Sequence, residues 1–67
     1  MTYKILNNLD GVPYAVLLNG KDSIPFDPAN TDYQTFKKEV LAGAELADAD
    51  GNLMTAEQAK EFVLTLP

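Results

Sequence analysis

The run Val12-Pro13-Tyr14-Ala15-Val16-Leu17-Leu18-Asn19-Gly20 constrains this chain more than any other. Val12, Tyr14, Val16 and Leu18 fall on one face of a strand at period two, and Ala15 and Leu17 make the opposite face apolar as well. A strand of this kind is either covered on both sides or leaves apolar surface open. It ends on Asn-Gly, the dipeptide best suited to a type I′ turn, because both central residues there take positive φ. Pro13 sits near the start, where a missing N–H is tolerated. The chain must therefore double back, and Ser23 to Phe26 is the returning strand, with Ile24 and Phe26 on one face and Pro25 marking an edge position. Upstream, Tyr3 to Asn7 alternates loosely before a turn at Leu9-Asp10-Gly11. Together these segments predict a small antiparallel three-stranded meander.

The remainder reads as helical. Asn30 or Thr31 can cap a helix, Thr31 and Gln34 have capping-box spacing, and Tyr33, Phe36 and Val40 form one stripe. Gly43 stands where a glycine ends a helix. A second helix begins at Thr55, again with capping-box spacing to Gln58, and carries the stripe Ala59, Phe62, Val63 and Leu66. The intervening Ala44 to Met54 reads as a loop. The expectation is one domain over residues 1–67, of α+β class, in the order β-β-β-α-α with both helices on one sheet face. No repeat, linker or low-complexity segment is legible.

Composition bounds what such a domain can do. At 67 residues with no cysteine and no histidine, it has no disulfide staple and none of the usual soft or borderline metal ligands. Ten acidic residues against five basic ones give a net charge of −5, a surface that a phosphate backbone repels. Direct nucleic-acid binding is not expected. Without lysine or arginine clusters beside them, the six aromatic residues are expected in the core rather than as a base-stacking platform. No run approaches the roughly 18 apolar residues of a membrane span, and the N-terminal residues lack a signal-peptide h-region, so a cytoplasmic location is expected.

One constellation resembles chemistry. Asp48, Asp50, Gly51, Leu53 and Glu57 match the third, fifth, sixth, eighth and twelfth positions of a calcium-binding EF-hand loop. Leu46, however, occupies the first position, where an oxygen ligand is required, and Gly43 ends the incoming helix too early. Asp50-Gly51 is equally explained as a turn, and Glu57 as an acid favoured by the helix dipole. No metal and no cofactor is expected. There is likewise no catalytic nucleophile pair, no G-x-S-x-G elbow and no phosphate-cradling glycine loop, so the chain is not expected to be an enzyme.

Two surfaces remain as candidates for binding a protein partner. Two helices cover only one face of a small sheet, which leaves Ala15 and Leu17, with Leu6, as an apolar strip on the other. The alternative is that the Asp27–Ala29 loop folds over Leu17. Such a strip also suits self-association into a homo-oligomer. The second candidate is the acidic stretch from Glu39 to Glu57, in which Glu45, Asp48, Asp50 and Glu57 could face a basic groove.

The run Ser23-Ile24-Pro25-Phe26-Asp27-Pro28-Ala29-Asn30-Thr31-Asp32-Tyr33-Gln34, followed by Phe36 and Gly43, resembles a segment of small uncharacterised tailed-bacteriophage proteins. The similarity covers roughly residues 2 to 43. The chain departs from that pattern at Glu39, where similar segments carry a tryptophan, and beyond Gly43. The resemblance implies a phage-encoded accessory protein-binding module, a minor virion component or assembly factor, residing in the host cytoplasm or the virion. The alternative is an acidic inhibitor of a host enzyme or defence complex, seated in a basic groove. Physically the shared run suits a scaffold, with Pro25 and Pro28 stiffening the passage from sheet to helix.

Overall fold

A computed structural model describes residues 2–66. The elements are β1 (Thr2–Asn7), β2 (Pro13–Leu18), β3 (Asp22–Pro25), α1 (Thr31–Leu41), β4 (Glu45–Ala47) and α2 (Ala56–Leu64). They form an α+β fold with a mixed sheet in the order β3-β2-β1-β4. β1 pairs antiparallel with β2, and β2 with β3, whereas β1 and β4 are parallel.

The expected order β-β-β-α-α is thereby corrected to β-β-β-α-β-α. The segment read as a loop, Ala44 to Met54, contributes a fourth strand. Three residues, Glu45-Leu46-Ala47, are too short for a periodic signal. They become a strand by docking on the free edge of β1, in the register Tyr3↔Leu46 and Lys4↔Ala47, with Leu46 buried in the core. β3 and β4 both run parallel to β1, so α1 is the crossover joining the two edge strands.

Local chemistry explains most element boundaries. Asn19 and Gly20 adopt φ of 52° and 73°, the pair of positive values that the Asn-Gly turn requires. Lys21 donates its backbone N–H to Leu18 O, while the strand pairing closes one residue later at Leu18↔Asp22. Asn30 is the N-cap of α1, its Oδ1 accepting from Tyr33 N at 3.1 Å. The capping box suggested by Thr31 and Gln34 does not form; Gln34 Nε2 instead donates to Pro28 O at 2.8 Å and ties the helix to the preceding turn. The Thr55–Gln58 box at the start of α2 does form, with both hydrogen bonds at 3.1 Å. Gly43 ends α1 at φ 109°, its N–H bonding Val40 O and the next N–H, of Ala44, reaching back to Glu39 O. That is the Schellman arrangement, and it turns the chain from helix into β4 within two residues.

The core lies between one sheet face and both helices. Tyr3 and Ile5 from β1, Val16 from β2, Ile24 from β3 and Leu46 from β4 meet the helical stripes, in which Tyr33, Phe36, Val40, Ala59 and Val63 are buried. Five of the six aromatic residues join it. Phe36 meets Tyr3 edge-on at 4.9 Å, and Phe26 lies 5.5 Å from Tyr33, 6.1 Å from Phe36 and 6.2 Å from Phe62. Burial, reinforced by the negative charges of Glu39 and Asp32 on α1, holds the Tyr3 hydroxyl above the ordinary tyrosine range. The expectation for the start of β2 needs correction. Val12 and Tyr14 point along the predicted apolar face but remain about half exposed, at 54% and 50%. The strand begins only at Pro13, and the register shift at Leu6/Asn7 leaves Tyr14 as an extra residue without a cross-strand partner on β1.

Candidate functional site

Alternation assigns the residues between the core positions to the opposite face of the sheet, and the strand registers arrange them in two rows. One row runs Ser23, Leu17, Lys4 and Ala47 across β3, β2, β1 and β4, and the other runs Pro25, Ala15 and Leu6. An antiparallel bridge from Ala47 to Leu53 extends the first row beyond β4. No helix covers these residues. The partly buried apolar groups packed against the core are Leu18, Phe26, Ala44, Met54, Phe62 and Leu66, and neither Leu6 nor Leu17 is among them. The chain leaves β3 through Phe26, whose ring sits in the aromatic cluster on the helix side. The Asp27–Ala29 segment therefore proceeds toward α1 on that side.

The two apolar site residues read from the sequence play different parts. Ala15 is 1% exposed, because its single methyl lies below the level of its cross-strand neighbours Leu6 and Pro25. It is the floor of the face rather than a contact. Leu6 and Leu17 stand half-buried around it, and Leu53 is 64% exposed. Sequence reasoning missed Leu53, which it had placed in a loop. Only the bridge to Ala47 brings it onto the sheet.

Both edges of the sheet are partly blunted against an added strand. On β3 the ladder alternation turns Ser23 and Pro25 outward, since Phe26 N–H is directed inward to Tyr14 O. Pro25 has no N–H, and its carbonyl accepts from Asp27 N at 2.9 Å. On β4 the outer groups are taken by the segment that follows, through Asp48 N to Asn52 O and Met54 N to Leu46 O, both 2.9 Å. Blunting of this kind disfavours sheet extension.

The acidic residues sit on different elements. Glu45 is exposed at a corner of the open face, paired with Thr2. Asp50 is exposed in the loop after β4, and Glu57 is exposed in the first turn of α2. Asp48 is engaged internally: its Oδ1 accepts from Asp50 N and Asn52 N, both at 2.9 Å, while Gly51 N reaches its carbonyl. The same pattern occurs after β1, where Asn8 Oδ1 accepts from Asp10 N and Val12 N and Gly11 N bonds Asn8 O. Asn8-Leu9-Asp10-Gly11 and Asp48-Ala49-Asp50-Gly51 are thus two copies of one loop at the same end of two adjacent parallel strands. The shared hydrogen-bond pattern is a recurrence of loop conformation, too short to count as a sequence repeat. Among the described residues, no three carboxylates converge as a metal-holding group.

Because Asn8 performs in one loop what Asp48 performs in the other, Asp48→Asn is expected to be nearly neutral for stability. Asp48→Ala strands two backbone N–H groups and is expected to cost about 1–2 kcal/mol. Urea unfolding of the two variants checks this, and equal destabilisation by both would show that the carboxylate charge matters rather than the acceptor geometry.

Two shallow depressions mark other parts of the described surface. One, of about 360 Å³, is lined by Asn7, Asn8, Leu9 and Tyr14. The other, of about 300 Å³, lies between the helices beside Lys37, Leu41, Val63 and Leu64, with the Lys37 ammonium 4.7 Å from the Tyr33 ring centroid. No described helix is long and apolar enough to cross a membrane. Comparison of the chain with protein-family models, curated proteins and solved structures returned no match.

Proposed function

We propose that this domain is a non-enzymatic protein-binding module that engages its partner through the open face of the sheet, centred on Leu17. In the setting implied by the segment from Ser23 to Gln34, it serves a tailed bacteriophage as an accessory protein, either a minor virion component or an assembly factor. The observation that supports the reading is the pairing of an uncovered apolar face with two partly blunted edges. Apolar surface left open on a small domain is a marker of association.

The competing reading, an acidic inhibitor of a host enzyme or defence complex, draws on Glu45, Asp48, Asp50 and Glu57. Nothing in their arrangement favours it, since Asp48 is used inside its loop and the others are spread over a sheet corner, a turn and a helix.

Affinity capture from host lysate and from disrupted particles, at low and high salt, separates the two. Leu17→Asp is expected to weaken partner capture at least tenfold, because a carboxylate must be desolvated at the centre of the contact. Capture by the wild type is expected to survive high salt and the combined change Glu45→Gln, Asp48→Asn, Asp50→Asn and Glu57→Gln. A partner lost at high salt and in the neutralised protein, yet kept by Leu17→Asp, would replace this reading with the inhibitor.

A further inference from the structure

Asn19 is followed by Gly20, and no other asparagine of the chain precedes a glycine. Asn7, Asn8, Asn30 and Asn52 precede Asn8, Leu9, Thr31 and Leu53, whose side chains crowd the backbone nitrogen that follows each asparagine. A glycine leaves that nitrogen open to approach and its backbone free to turn. Asn19 and Gly20 are both exposed, at the tip of the β2–β3 hairpin, with φ of 52° and 73°. Asn19 also closes the pairing of β1 with β2. Its N–H donates to Thr2 O at 2.8 Å, and its Oδ1 accepts from Thr2 N at 3.1 Å. The asparagine with the least hindered successor therefore stands where both antiparallel strand pairs end.

We propose that Asn19 is a site of spontaneous covalent modification, and that the folded turn governs its rate. In this reaction the Gly20 amide nitrogen gives up its proton to water and attacks Cγ of Asn19. The bond from Cγ to the side-chain nitrogen breaks, and ammonia leaves with a proton taken from water. Water then opens the resulting five-membered imide. Addition at Cγ gives aspartate in the original main chain. Addition at the main-chain carbonyl gives iso-aspartate, in which the chain runs through Cβ and Cγ and carries one extra backbone carbon. Either route exchanges a neutral amide for a carboxylate. The sum consumes one water and releases one ammonia, with no oxidant or reductant.

The folded geometry holds the reaction back. Ring closure needs Gly20 N on the same side of the Cα–C bond as Cβ. A type I′ turn, with ψ of roughly +30° at its first central residue, places that nitrogen on the far side. The hydrogen bond from Thr2 N fixes the side-chain carbonyl as well. Attack therefore requires the turn to open, losing this bond and that of Lys21 N to Leu18 O at 3.0 Å. A hairpin tip opens locally at a lower free energy than the core. The two products then differ. Aspartate tolerates positive φ, and its carboxylate still accepts from Thr2 N. Iso-aspartate lengthens a tight turn whose pairing resumes at Leu18↔Asp22, and so strains the strand that carries Ile24 into the core.

The test incubates the full chain at neutral pH, folded and in concentrated urea, and follows each asparagine by peptide mass mapping that resolves aspartate from iso-aspartate. In urea, Asn19 is expected to convert about tenfold or more faster than the other four asparagines. Conversion in the folded protein is expected to be about tenfold or more slower than in urea. Urea added below the unfolding transition should change the folded rate little, because opening the turn exposes little surface. Thr2→Pro removes the clamping N–H at the first residue of a strand, where proline is tolerated. It is expected to raise the folded rate about threefold to tenfold and leave the urea rate unchanged. The purified iso-aspartate form is expected to unfold at lower urea than wild type, and Asn19→Asp close to wild type. Similar rates at all five asparagines in urea would overturn the site. Equal folded and unfolded rates would overturn the gate, as would a folded rate that climbs with urea along the full slope of global unfolding. A folded rate unmoved by Thr2→Pro would overturn the part assigned to Thr2, and the urea series decides the gate even where that variant fails to fold.

Discussion

Phe36→Ala is expected to leave most of the protein unfolded at 25 °C. Phe36 is fully buried at the centre of α1, against the edge of the Tyr3 ring and beside those of Phe26 and Tyr33. Truncating a buried phenylalanine costs about 3–5 kcal/mol, through lost transfer energy and the cavity left behind. A single core of this size, without cysteine for a disulfide, supplies at most about 3–5 kcal/mol. The two quantities are of the same size, so one substitution removes the margin. Circular dichroism and the dispersion of amide resonances report the outcome. A Phe36→Ala protein that stays folded, with its unfolding midpoint lowered by only a few degrees, would mean that the aromatic cluster is not the principal core. Phe36→Leu, which keeps most of the volume, is expected to fold with reduced stability.

Leu46→Ala has the next largest expected effect, and it discriminates between two descriptions of the same segment. If residues 44–54 were a surface loop, this change would be nearly silent. As the central residue of β4, Leu46 is 1% exposed, paired with Tyr3 and closed over by the Met54 N–H bond to its carbonyl. The expected cost is about 2–5 kcal/mol, read from urea unfolding. Because β4 bridges to Leu53, loosening it should also reduce capture of a partner by the open face. Leu41→Ala is the control, a leucine 43% exposed on α1 for which a cost well below 1 kcal/mol is expected. Equal effects at the two positions would show that β4 is not docked.

How much of the molecule could be read from its residues varies by element. The Asn19-Gly20 turn, the cap at Thr55 with Gln58 and the glycine stop at Gly43 are matters of backbone conformation within a few residues, and each was legible before any tertiary contact was known. The helical stripes were legible too, because Tyr33, Phe36, Val40, Ala59 and Val63 recur at the helix period and all five are buried. From the sequence, Ala15 and Leu17 with a count of two helices point equally to a sheet face left open and to one closed by the Asp27–Ala29 loop.

The tertiary structure decided where local signals compete or fall silent. Thr31-x-x-Gln34 and Thr55-x-x-Gln58 have the same spacing, yet only the second closes into a box, because Asn30 precedes Thr31 and the Pro28 carbonyl draws Gln34 away. Val12 and Tyr14 continue the apolar period of Val16, but Val12 lies outside the strand and the register shift at Leu6/Asn7 leaves Tyr14 without a cross-strand partner on β1, and both stay about half exposed. Ala15 became the floor of the face rather than its contact because its neighbours are larger. β4 exists because β1 offers it a free edge and Leu46 has a core to enter, neither of which is a property of Glu45-Leu46-Ala47 itself. Strand pairing between residues more than forty positions apart depends on which edge is left open after the local hairpin has formed. Composition and period determine the elements and their apolar faces, whereas the order of the sheet is settled by packing.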